Sequence, residues 1–189
     1  MDDIHRRVSS LPLDMQELLR QRLAGKASRR EIAARPTGAA PVLSFAQQRL
    51  WLLDQLHPGS ARYNIPGVIH LAGRCDPAAV RRSLGAIVAR HEVLRTVYPA
   101  EHGQPVQRIL PTAEVEVPVH DLRGLPAAER AAEAERIGRA DGHRPFDLER
   151  GPVMRAALIV VEDERAELHI TVHHIAADGW SLRVLLRFP

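Results

Sequence analysis

The run MRAALIVVEDERAELHITVHHI, residues 154–175, constrains the fold more than any other part of this chain. Two segments rich in Val, Ile, Leu and Ala flank the charged stretch Glu162 to Arg165, a pattern that predicts two strands joined by a tight turn. The upstream sequence supplies both further strands and helices.

Ser44, with Gln47 three residues later, predicts a capping box opening a helix whose Ala46, Leu50, Leu53 and Leu56 recur at helical spacing. NIPGVIHLAG (64–73) reads as a short strand bounded by Pro66 and Gly73. Asp76-Pro77 then reads as the N-cap and first residue of a helix with Val80, Leu84, Ile87, Val88 and His91 on one face. LRTVY and VQRIL flank Glu101-His102-Gly103, a hairpin signal, and VEVPVHD is a strand that Pro118 assigns to a sheet edge. Residues 126–140 are strongly helix-forming and solvated in character. Helices and strands alternate throughout, so the class is α/β: a mixed sheet with flanking helices.

The first forty residues differ. Leu11, Met15, Leu18, Leu19 and Leu23 predict a helix ending at Gly25, followed by a linker rich in Ala, Pro and Arg. The expected division is a helix and linker over 1–41 and a main domain over 42–189. The N-terminal helix either packs on the domain's flank or docks a partner.

At the end of the second strand, His173 and His174 stand side by side, with Asp178-Gly179 closing a His-His-x-x-x-Asp-Gly spacing. Neighbouring strand residues point to opposite faces, so one imidazole can do chemistry while the other packs or holds the backbone. A histidine delivered beside a turn suits acid/base work, because imidazole titrates near neutral pH. Gly179 allows close approach of backbone to substrate, and Asp178 can cap a helix beginning near Trp180 or pair with an arginine. The bland alternative is a buried strand histidine before an ordinary Asp-Gly turn. A metal site is not expected: His169 and His173 share a face but lie about 13 Å apart along a strand.

Composition excludes other classes. Basic residues are almost all arginine, scattered among Asp and Glu, and aromatics are 4%, which argues against nucleic-acid binding. No apolar run is long enough for a membrane span, no secretory leader is evident, and Cys75 is alone, so a cytoplasmic location is the expectation.

SFAQQRLWLLDQL (44–56), RHEVLRTVY (90–98) and HHIAADGWS (173–181) resemble, in order, the first three core motifs of the condensation domains of nonribosomal peptide synthetases. RPFDLERGPVMR (144–155) is similar to the stretch that precedes the third. The resemblance implies a chloramphenicol acetyltransferase-like, two-layer lobe and an enzyme that joins two thioester-bound building blocks. Upstream and downstream peptidyl carrier proteins would present them on phosphopantetheine, with no tightly bound cofactor, metal, nucleic acid or membrane involved. It makes His174 the catalytic residue, with His173, Asp178, Gly179 and Arg95 in support. Asp178 would be structural, through an ion pair with Arg95, and N–H groups near Gly179 would stabilise the oxyanion. Trp180-Ser181 looks most like the subtype that joins an L donor to an L acceptor.

Such domains have two lobes, and the resemblance reaches only the N-terminal one. Phe188-Pro189 breaks a leucine pattern begun by Leu182, Leu185 and Leu186, so the expectation is a truncated lobe with little activity alone. A second lobe or a neighbouring synthetase module would complete it. The alternatives are a free-standing acyltransferase using coenzyme A, and a noncatalytic platform for carrier proteins.

Overall fold

A computed structural model describes Met15, Arg35, Pro36 and residues 39–181. The helix predicted over 11–24 and the leucine pattern at 182–186 lie outside the described residues, Met15 apart. Residues 40–189 form one compact unit.

The unit opens with helix α1 (Phe45–Leu56), started by the capping box: Ser44 N–H donates to Gln47 Oε1 at 2.9 Å and Gln47 N–H to Ser44 Oγ at 3.2 Å. Its inward face overlaps only part of the predicted stripe. Trp51 is its buried residue, flanked by the partly buried Gln47, Leu50, Leu53 and Asp54, while Ala46 and Leu56 are exposed. The indole decides the face, because Trp51 Nε1 donates to Tyr98 O at 3.0 Å while its ring joins the core.

Strand β1 (Asn64–Ala72) leads to helix α2 (Pro77–Arg90), where Asp76 Oδ1 caps Ala78 N–H at 2.8 Å and Leu84 and Val88 are buried. A 3-10 turn (Glu92–Arg95) enters the predicted hairpin. That hairpin is built as two short ladders: β2 (Thr96–Val97) with β5 (Arg108–Ile109), and β3 (Ala100–Glu101) with β4 (Gln104–Pro105). His102 and Gly103 close the inner one, both at positive φ (52° and 75°), the geometry a two-residue hairpin loop of the primed type needs. Between the ladders Tyr98 leaves the pairing, its N–H donating to Leu148 O at 2.7 Å.

Next come β6 (Val119–Asp121), helix α3 (Ala127–Gly142), β7 (Met154–Glu162) and β8 (Arg165–His173). The main sheet has the order β1-β8-β7-β6, antiparallel except for the parallel β6–β7 edge. Pro118 sits at the entry to that edge strand, where its missing N–H costs no ladder bond and its carbonyl accepts from Leu158 N–H.

The flanking helices divide between the two sheet faces. Leu84 and Val88 of α2 share a core with Leu158, Leu168 and Val172. On the opposite face Ala134 and Ile137 of α3 meet Leu122, Ile159 and Val161. This alternation follows from the strand period of two.

Helix α3 approaches β8 closely at Gly138, where an added Cβ would lie 2.2 Å from His169 Nδ1. The ring cannot easily retreat: His169 is buried and its Nε2 lies 2.9 Å from the Glu167 carboxylate. Gly138→Ala is therefore expected to destabilise the chain. Overpacking costs about 1–3 kcal/mol, more than the gain of up to ~1 kcal/mol that alanine brings to a helix interior. Urea unfolding of the two proteins checks this; an unchanged or higher midpoint for the alanine variant would contradict it.

Candidate active site

Strand β8 ends at His173, and the chain then turns through His174 to Ala176. His173 is 2% exposed and His174 lies at the surface. The His173 ring meets Tyr63 edge-on at 6.4 Å and Phe146 at 5.9 Å. Its Nδ1 accepts the Ile175 N–H at 3.1 Å, which places its own proton on Nε2. Burial, then the neighbouring His174, pushes the His173 pKa down to about 4. His173 is thus a neutral, structural imidazole. The backbone around it is held on every side: His173 N–H donates to Val153 O, His174 N–H to Tyr63 O and Ala176 N–H to His173 O, all at 2.8–2.9 Å. His174 projects from a loop whose backbone has little freedom.

Two distant segments complete the support. Gln47 Nε2 on α1 donates to Ile175 O and to Tyr98 Oη, each at 3.3 Å. Tyr98 is 1% exposed, and burial raises its phenol to about 12 against the opposing Gln47 hydrogen bond. Beneath His173, the Arg155 guanidinium stacks on Phe146 at 3.8 Å. Arg155 is fixed by Asp141 Oδ1 (3.2 Å), Asp141 O (2.9 Å) and Arg144 O (2.7 Å), and Thr171 Oγ1 donates to Asp141 Oδ2 at 2.8 Å. The three segments singled out in the sequence, around Gln47, Tyr98 and His174, therefore meet at one loop.

Two supporting residues behave differently from the expectation. The Arg95–Asp178 ion pair is not formed. Arg95 Nη1 donates to Leu110 O, and its Nη2 lies 3.7 Å from Glu92 on the same turn. Asp178 is exposed, and its Oδ1 accepts from both the N–H and the hydroxyl of Ser181 at 2.7 Å. Those bonds hold its carboxyl below the ordinary range. Both side chains take partners within a few residues or across the adjacent β2–β5 pairing, which need no ordering of a distant segment. Asp178 thus caps the helical residues 179–181, one of its two readings from sequence. Gly179 lies exposed at the start of that turn. Among the described residues no group of three His, Cys, Asp or Glu is placed to hold a metal, and no helix is long and apolar enough to cross a membrane.

Residues 39–188 match the family model of the condensation domain. The chain belongs to the condensation-domain family. Among relatives of this condensation domain sequence, phosphinothricin tripeptide synthetase PhsC of Streptomyces viridochromogenes is 42% identical over 99% of the chain. Chondramide synthase cmdD of Chondromyces crocatus is 48% identical over 81%. The starter condensation domain of rhizomide synthetase RzmA superposes with a TM-score of 0.72 at 30% identity, covering 79% of this chain. The chain spans only 18% and 4% of the two synthetases and 36% of the rhizomide domain. It corresponds to the N-terminal part of a nonribosomal peptide synthetase condensation domain.

Sequence reasoning passed over Gln47, Phe146 and Arg155, which the structure places around the His173-His174 loop of this condensation domain. Gln47 was absorbed by its helix cap, and Arg155 by the strand that Met154 opens. The available signal was that all three lie within the segments that carry the family resemblance.

Proposed function

We propose that this chain contributes the reacting histidine of an amide-forming condensation between two carrier-bound thioesters. The observation that carries the reading is the pairing of a buried, neutral His173 with a surface His174 on a loop pinned by Gln47 of α1 and by the residues that precede β1 and β7, Tyr63 and Val153. His174 accepts a proton from the acceptor amine, or orients that amine, as its nitrogen attacks the donor thioester carbonyl. The C–N bond forms, the tetrahedral oxyanion collapses, the C–S bond breaks, and the amine's proton passes to the departing thiolate. The Ser181 and Trp180 N–H groups face the Asp178 carboxylate, which leaves Gly179 N–H as a candidate oxyanion donor on this loop.

The donor aminoacyl or peptidyl group and the acceptor arrive on phosphopantetheine arms of upstream and downstream carrier proteins. Holding two such arms in register and excluding water requires more of a condensation domain than the 36% this chain spans of the rhizomide one. The isolated 189-residue chain is therefore expected to show no condensation turnover. The test of the reading is product formation between loaded carriers by a complete condensation domain containing this sequence, with and without His174→Ala. Carrier binding that survives the substitution separates docking from chemistry.

A further inference from the structure

We propose that Gln47 is a positioning residue for His174, and that the loop requires its amide rather than its contribution to the helix cap. The proposal rests on the reading of His174 as the reacting group. In a capping box the third helical residue needs only a side-chain oxygen to reach the N-cap N–H, so glutamate serves as well as glutamine. In this chain that oxygen is Oε1, which accepts from Ser44 N–H at 2.9 Å and from Gln107 Nε2 at 3.3 Å.

The other end of the amide does what a carboxylate cannot. Nε2 donates to Ile175 O and to Tyr98 Oη, both at 3.3 Å. Ile175 directly follows His174 and lies beyond the end of β8, where no ladder bond awaits its carbonyl. Its N–H is taken by His173 Nδ1 and its carbonyl by Gln47, so the residue after His174 is held at both ends. The anchor is 128 residues away in sequence, on a helix that Trp51 and the capping box fix independently of the loop.

Gln47→Glu separates the two duties. The carboxylate keeps an acceptor for Ser44 N–H but turns a second oxygen toward the Ile175 carbonyl, replacing attraction with repulsion. In a complete condensation domain carrying this sequence, kcat is expected to fall about 10–100-fold with KM for the loaded carriers unchanged. In the purified chain, hydrogen exchange at the Ile175 and Ala176 amides is expected to accelerate at least about tenfold. Ser44→Ala is the control: it removes the cap, lowers Tm by about 2–4 °C, and leaves turnover and those two amides at wild-type values. The positioning role is overturned if Gln47→Glu matches wild type in both measurements, or if Ser44→Ala lowers kcat equally. A dead His174→Ala beside a fully active Gln47→Glu overturns this proposal alone. Turnover retained by His174→Ala overturns the reading beneath it.

Discussion

His174→Ala is expected to lower condensation turnover about 10²–10⁴-fold, the range a positioned acid/base group contributes. The substitution should leave the fold intact. His174 is exposed at the surface, and its hydrogen bond to Tyr63 O is made by the backbone N–H that alanine retains. Stability should therefore change by no more than about 0.5 kcal/mol, as for surface positions free of special features. The contrast between a large kinetic and a small thermodynamic effect is the point of the measurement. It is made as product formation between loaded carriers, alongside thermal unfolding. Turnover within about threefold of wild type would falsify the assignment, because an acid/base group that can be deleted at so small a loss is not one. A large loss of stability would place His174 in a structural role like that of His173.

The second large effect is an acid transition centred on His173. Its pKa is about 4 in the folded chain against 6.5 for a free imidazole, so the unfolded chain binds the proton first as pH falls. The stabilisation is fully present above pH 6.5 and is lost progressively as pH drops through 4. The shift corresponds to about 3 kcal/mol in total. Protonation puts a hydrogen on Nδ1, where the Ile175 N–H now donates, and places a charge between Tyr63 and Phe146. Other shifted carboxyls do not mimic this loss. Asp121, Glu133 and Asp178 have lowered pKa values, so what they contribute is lost only from the ordinary carboxyl range downward, at the acid end of this window, while Asp54, raised by burial and by Asp147, favours the folded state as pH falls. Urea unfolding at several pH values between about 7 and 4 gives the slope, and His173→Phe should flatten it. The variant starts from lower stability because the Ile175 N–H loses its acceptor. Equal slopes in the two proteins would rule out His173 as the source.

Much of the framework was legible because its signals are local. The capping box at Ser44 and Gln47, the Asp76-Pro77 helix start, the turn at His102-Gly103 and the β7–β8 hairpin each depend on residues within a few positions of one another. Burial on the far side of an element was less legible. The periodic Ala46, Leu50, Leu53 and Leu56 suggested one face of α1, and a single Trp51 that could both pack and donate to Tyr98 O rotated the buried face so that Leu50 and Leu53 are partly covered and Ala46 and Leu56 are exposed. The pairing of Arg95 with Asp178 failed for a related reason. Family resemblance can suggest which residues approach, but Leu110 O and Ser181 were nearer partners for two polar groups that must each be satisfied.

The sequence by itself determined the alternation of strands and helices, the place where the hairpin ends, and the presence of two adjacent histidines at that end. Those follow from period, propensity and turn chemistry, which act over a few residues. Only the tertiary structure decided which histidine is buried and what holds the other in place. His173 became the neutral packing residue because Tyr63 and Phe146 close over it, and the loop became rigid because an amide 128 residues upstream reaches Ile175 O. Both outcomes depend on desolvation and on hydrogen-bond partners contributed by other elements, and no local pattern in the chain encodes how those elements meet.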